Sequence, residues 1–193
     1  MKKTVTISLG NKKLGNYIPN ISLFPIISCR KSAPCTHNCY SMKAVRLYPS
    51  TRYAWARNYI IWKRFPDFYF DTINDWLFKY EPEYFRWHVA GDIPNKDYFY
   101  EIDILAHANP KTKFLIFTKQ YEFIPEKYTI SKNLSIIYSA WPGLELPDKN
   151  YPVAWYDDGT DDRIPKKVFH CKNNCSKCYF CWNPKKDIVF KKH

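Results

Sequence analysis

Seven cysteines gathered into two tight groups, one near each end of a 193-residue chain, constrain this sequence more than any other feature. Cys29, Cys35 and Cys39 lie in SCRKSAPCTHNCY, a C-x5-C-x3-C spacing. Cys171, Cys175, Cys178 and Cys181 lie in HCKNNCSKCYFCW, a C-x3-C-x2-C-x2-C spacing, and from Tyr40 to His170 there is no cysteine. A disulfide framework fits poorly. The total is odd, and four cysteines this close in sequence can hardly pair without strain. Export is not indicated either: the basic start Met1-Lys2-Lys3 leads into an apolar stretch that stops at Leu9, before Asn11-Lys12-Lys13. Metal ligation by two cysteine nests, at 29–39 and 170–184, is the reading that remains, in a protein placed in the cytoplasm.

The spacing favours iron–sulfur over zinc. Structural zinc takes two ligand pairs separated by a longer loop, which neither nest shows by itself. Cysteines two and three residues apart instead resemble ferredoxin runs, whose chain wraps a 4Fe–4S cubane. Zinc stays as the alternative metal, and His37 and His170, inside or beside the nests, are further candidate ligands. Three cysteines leave one iron of a cubane open to water, substrate or cofactor, whereas four close their cluster and suit electron transfer or stapling. One or two clusters are therefore expected; the competing arrangement draws ligands from both nests into one shared site.

Composition narrows the class. Hydrophobic residues at 46% and charged residues at 25% are ordinary for a globular domain and argue against disorder. No apolar run reaches the length of a bilayer span, so no membrane role is expected. Lys and Arg outnumber Asp and Glu by 30 to 18, a net charge of +12. Such an excess marks either a protein that meets phosphate, with nucleic acid or a nucleotide as partner, or a lysine-rich surface that keeps a small protein soluble.

Periodicity places the nests in an α/β chain. Thr4 to Leu9 and Ile21 to Ser28 read as strands, the second running into Cys29. A short helix spans Tyr40 to Tyr48. Ser50 or Thr51 caps the next, which carries Trp55, Tyr59 and Trp62 and ends at Pro66. Asp67 then caps a helix with Phe70, Ile73, Trp76, Leu77 and Tyr80 on one face. Phe85 to Ala90 reads as a strand holding His88, followed by a helix from Asn95 or Asp97 to Asn109-Pro110. Lys113 to Thr118, Leu134 to Ala140 and Pro152 to Tyr156 are further strands, and the tail from Phe190 is frayed. A strand–helix–strand unit implies parallel pairing, and ligands of parallel α/β folds collect at the carboxyl ends of the strands. Those ends are the Cys29 nest, Gly91-Asp92, Thr118-Lys119 and Ser139-Ala140-Trp141.

Taken together, FRWHVAGDIPNKDYFYEIDILAHANPKTKFLIFTKQY, LSIIYSAW and the terminal cysteine run resemble the phage family called gene product 88, in motif order from residue 25 to 183. That family in turn is similar to a shortened radical-SAM barrel. No internal repeat or low-complexity linker appears, so one domain over 1–193 is expected. The resemblance implies a partial, open parallel α/β barrel of about five or six strands with cysteine-rich metal-binding loops near both ends. It implies that Cys29, Cys35 and Cys39 hold a 4Fe–4S cluster whose open iron binds S-adenosylmethionine. Gly91 and Asp92 stand where the methionine amine is held, with Thr118, Lys119 and Ser139 on neighbouring strand ends. Tyr40 follows the last cysteine of the loop, whereas the usual C-x3-C-x2-C pattern has its aromatic before it. The implied activity is reductive cleavage of S-adenosylmethionine, fed by a reductase, in the host cytoplasm for a phage protein; the basic surface then suggests a nucleic-acid or nucleotide substrate. The alternative is a non-catalytic, metal-stapled binding or interaction protein.

Overall fold

The computed structural model describes residues 3–126, 129–147 and 151–191. Seven strands build one sheet in which every pairing is parallel: β1 (Asn20–Ile21), β2 (Tyr84–Trp87), β3 (Lys113–Thr118), β4 (Leu134–Ala140), β5 (Val153–Asp157), β6 (Phe169–His170) and β7 (Ile188–Lys191). Their order is β1-β2-β3-β4-β5-β7-β6, so the sheet is open, with β1 and β6 at its edges. The parallel α/β architecture is as expected; the strand number is higher by one or two.

Three helices, α1 (Tyr40–Leu47), α2 (Pro49–Arg64) and α3 (Pro66–Tyr80), fill the connection from β1 to β2, and α4 (Lys96–Ala108) joins β2 to β3. No described helix is long and apolar enough to cross a membrane. Pro49 and Pro66 each open a helix, where a missing N–H costs nothing. Tyr48 and Phe65 are therefore the capping residues, not Ser50, Thr51 or Asp67, and neither makes a side-chain capping hydrogen bond. At α4 the expected cap holds: the Asn95 side chain accepts from the Tyr98 N–H at 2.8 Å.

Alternation along the strands splits the interior into two layers. Phe85, Trp87, Phe114, Ile116, Ile136 and Tyr138 pack with Ile61, Trp62, Tyr69, Ile73, Leu77, Tyr98, Phe99 and Ile102 of the helices. The intervening Leu115 and Ile137 belong to a second cluster on the other face, with Leu14, Ile18, Ala154, Trp182 and Ile188. Burying so many large apolar side chains, at roughly 1.5–3 kcal/mol each, is what holds the sheet between these layers.

Several local expectations are corrected. Thr4 to Leu9 is not a strand; only Ser8 bridges Asn20. The strand from Ile21 stops at once, because Pro25 and Ile26, the latter at φ 70°, turn the chain before Cys29. Strand β2 ends at Trp87 rather than Ala90, and His88 takes the left-handed conformation at φ 55° instead of continuing the strand. The tail is β7 rather than a frayed end, inserted between β5 and β6; Lys192 and His193 lie outside the described residues.

His88 gives the fold a pH dependence. It is buried beside Trp87 and Tyr98, and neither ring nitrogen has a hydrogen-bond partner among the described residues. Burial, helped by the nearby Arg86 charge, lowers its pKa to about 3. Between that value and the ordinary 6.5 the unfolded chain binds the extra proton, so stability falls as pH falls through this window. The loss reaches roughly 4–5 kcal/mol at its low end. Urea unfolding from pH 7 to 3 is expected to show this slope, and His88→Asn, which tolerates the same backbone, should flatten it. Parallel slopes for the two proteins would contradict it.

Candidate metal centres

The first nest forms the upper rim of the sheet. Its chain leaves β1, turns at residues 25–28, passes through a short 3-10 turn at Pro34–Thr36 and enters α1 directly after Cys39. Gly91 presses against the start of this loop. A Cβ there would meet Ser28 Oγ at 2.5 Å and the Leu23 carbonyl oxygen at 2.9 Å, and φ is +80°, so only glycine fits. Arg30 ties the loop to the far side of the rim, donating to the Lys119 carbonyl at 3.2 Å and to Glu122 at 3.1 Å. Tyr40 donates from its hydroxyl to the Val89 carbonyl at 2.5 Å, bracing α1 against the end of β2.

Asp92 is the knot of this rim. It is buried, and its carboxylate accepts from the Thr118 hydroxyl at 2.7 Å, the Ile93 N–H at 2.8 Å and the Lys119 N–H at 2.8 Å. Burial pushes its pKa up, and the three donated hydrogen bonds hold it back. Thr118 accepts in turn from the Gln120 N–H at 2.9 Å. The ends of β2 and β3 are thereby locked together, and both oxygens of Asp92 are engaged within the protein. One strand further on, the Ser139 carbonyl accepts from Tyr121 at 2.5 Å, and the Lys119 ammonium lies 5.5 Å from the centre of the Trp141 ring. Gly91, Asp92, Thr118, Lys119 and Ser139 thus lie along adjacent strand ends, as their positions in the sequence suggested.

The thiols of this nest feel one another and their surroundings. Burial pushes Cys29 up to about 12, with further upward pressure from Asp92, Cys39 and Cys35. Burial also raises Cys35, opposed by the Lys119 ammonium. Two clefts flank the nest. One of about 390 Å³ is lined by Cys29, Arg30, Ser32, Gln120 and Glu122 among others. The other, about 510 Å³, includes Thr36, His37, Cys39, Tyr40, Lys43 and Arg46. Both fall in the size range of small-molecule sites.

The second nest lies elsewhere. It is the whole connection from β6 to β7, with a single helical turn α5 (Cys175–Cys178) at its centre. Strand β7 lies inward of β6, so this connection runs against the direction of the β2–α4–β3 unit. A right-handed crossover in reverse falls on the opposite face of the sheet. There Cys171, Cys175 and Cys181 pack with Leu115, Ile137, Trp182 and Ile188. The nest reaches the lower strand ends: Ser135 Oγ donates to the Cys181 carbonyl at 2.9 Å, and Trp182 Nε1 to the Phe85 carbonyl at 3.3 Å. The N-terminal segment covers it, the Cys175 N–H bonding the Lys13 carbonyl at 2.9 Å while Gly15 touches Ser176.

Arg86 is the feature of this site that sequence reasoning missed. It alternates with Phe85 and Trp87, which alone could have marked it as facing away from the helices. Its guanidinium carbon is 4.7 Å from the centre of the Phe117 ring, and its buried Nε has no hydrogen-bond partner among the described residues. Burial raises Cys175, and raises Cys181 to about 12; in both cases Arg86 pulls the other way. His170 ends β6 and His37 lines the second cleft, both exposed.

Among the described residues, no group of three or more His, Cys, Asp or Glu is placed so that it could hold a metal ion. The donor chemistry nonetheless fits a thiolate-ligated group. Seven free cysteines stand half-buried, and an unpartnered guanidinium nitrogen lies beside the second set. Metal binding takes up such thiols as thiolates and releases their protons.

A family model described as gene product 88 matches residues 2–184. The chain belongs to the gene product 88 family. The match spans both nests, the rim and α1 to α4, and stops just before β7 of this gene product 88 member. Neither a curated protein nor a solved structure matches the chain.

Proposed function

We propose that this gene product 88 protein is an iron–sulfur protein built like a shortened radical-SAM barrel, which cleaves S-adenosylmethionine to act on nucleic acid. One observation supports this most. Three cysteines stand at the carboxyl-end rim of a parallel sheet, between two clefts and next to the locked Asp92–Thr118–Lys119 corner. Cys29, Cys35 and Cys39 would hold the open cluster, and Cys171, Cys175, Cys178 and Cys181 the closed one. Bound there, the open cluster would supply one electron, drawn from a reductase, that splits a carbon–sulfur bond of S-adenosylmethionine into methionine and a 5′-deoxyadenosyl radical, which would take a hydrogen atom from the substrate. The protein positions the reactants. Gly91 lets the loop approach closely, Asp92 fixes the rim, and Lys119 offers a cation at the mouth. Arg86 offsets negative charge at the second nest. The coarser alternative is a metal-stapled binding protein, with zinc as the other metal.

Anaerobically purified protein is to be examined for visible absorption and for bound iron, sulfide and zinc, then incubated with S-adenosylmethionine and dithionite. A brown protein absorbing near roughly 400 nm that yields methionine supports the reading. A colourless zinc protein refutes it. A brown protein inert towards S-adenosylmethionine leaves the clusters and removes the reaction.

A further inference from the structure

The charge of this chain is not spread over its surface. All eighteen Asp and Glu lie from Asp67 onward, and the eighteen Lys and Arg of that region balance them. The remaining twelve bases lie before Asp67 with no acid among them, so the net +12 belongs to the first 66 residues. In the fold these residues supply the N-terminal segment, β1, the first nest and helices α1 and α2. Among the described residues, Arg30 is the one base of this segment with an ion-pair partner, Glu122.

Exposed aromatics are interleaved with these charges. Tyr40, Tyr48 and Tyr53 are 71%, 58% and 61% exposed on or between α1 and α2. Lys43, Arg46, Arg52, Lys63 and Arg64 are exposed on the same two helices, and the Arg52 guanidinium carbon lies 5.1 Å from the Tyr53 ring centre. Lys43, Arg46 and Tyr40 line the cleft that also holds Cys39. Cations track a phosphate backbone, and exposed rings stack on unpaired bases; a duplex offers the charge but hides its bases.

We infer that helices α1 and α2 form a binding platform for single-stranded nucleic acid, which leads the strand to the first cysteine nest. This names the substrate side of the proposed function, while standing on the placement of charge rather than on the cysteines. The probe is a fluorescein-labelled mixed-sequence 20-mer, read by anisotropy on the anaerobic full-length protein whose visible spectrum has been recorded. The single strand is expected to bind more tightly than its duplex, with a loss of roughly tenfold to a hundredfold between about 50 and 200 mM salt. Lys43→Glu with Arg46→Glu should weaken binding about tenfold or more, and Tyr53→Ser about fivefold without changing the salt slope. Lys166→Glu with Lys167→Glu, exposed in the charge-balanced region, should change little. Equal loss in that control pair, tighter binding of the duplex, or binding only to anionic vesicles would overturn the inference. A brown protein that binds no oligonucleotide removes the platform alone. A colourless protein that binds removes only the cluster reading.

Discussion

Asp92→Ala is expected to destabilise the protein by roughly 2–4 kcal/mol, an effect out of proportion to the size of the side chain. The variant takes the carboxylate acceptor from three donors, the buried Thr118 hydroxyl and Ile93 N–H and the part-buried Lys119 N–H. Removing the carboxylate also spares the desolvation that burial imposes on it, which is why the figure stays below the sum of three lost bonds. For a chain of this length the change corresponds to a fall in Tm of about 5–15 °C. Asp92→Asn keeps one oxygen but turns an amide N–H2 towards a donor, and should cost about half as much. Thermal unfolding followed by circular dichroism measures both. A fall below about 2 °C for the alanine variant would mean that the rim is held by other contacts.

The second large effect separates the two nests. Cys181→Ala should lower Tm by more than about 10 °C or leave the protein insoluble, while Cys35→Ala should cost about 3 °C or less. Cys181 lies against Leu115, Ile137 and Ile188 beneath the sheet, in the only connection between β6 and β7. If it loosens, both strands lose their tether and the covering N-terminal segment loses the Cys175 N–H from which its Lys13 carbonyl accepts. Cys35 sits in a half-buried loop at the rim, held independently by Arg30 and Tyr40. Metal content of the soluble fraction completes the test: Cys35→Ala should lose the first group and keep the second. Equal collapse of both variants would indicate a single shared site.

The location of the nests at different ends of the sheet separates what the chain declares locally from what it does not. Helix α3 was legible because Phe70, Ile73 and Leu77 recur at helical spacing, and β3 because KFLIFT is an unbroken β-forming run. Parallel pairing followed from the strand–helix–strand order around α4. The candidate residues of the rim were legible for the same reason, since each lies at or shortly beyond the carboxyl end of a strand and parallel strands end on one side. The left-handed turn at His88 was not, because nothing in RWHVAGD marks where the ladder stops.

By itself, then, the sequence determined the parallel α/β class, the helical stripes, the two groups of thiols and the strand ends that carry Gly91, Asp92, Thr118, Lys119 and Ser139. These rest on spacing within a dozen residues, which the backbone converts directly into faces and ends. Only the tertiary structure decided that β7 enters between β5 and β6 and that the second nest therefore lies on the opposite face from the helices. It also decided that residues 10–18 fold back over that nest, and that Arg86 points at it. Those outcomes depend on which distant strands pair. Pairing is settled by the burial of whole faces against one another and by the handedness of crossovers, and no local window of residues encodes either.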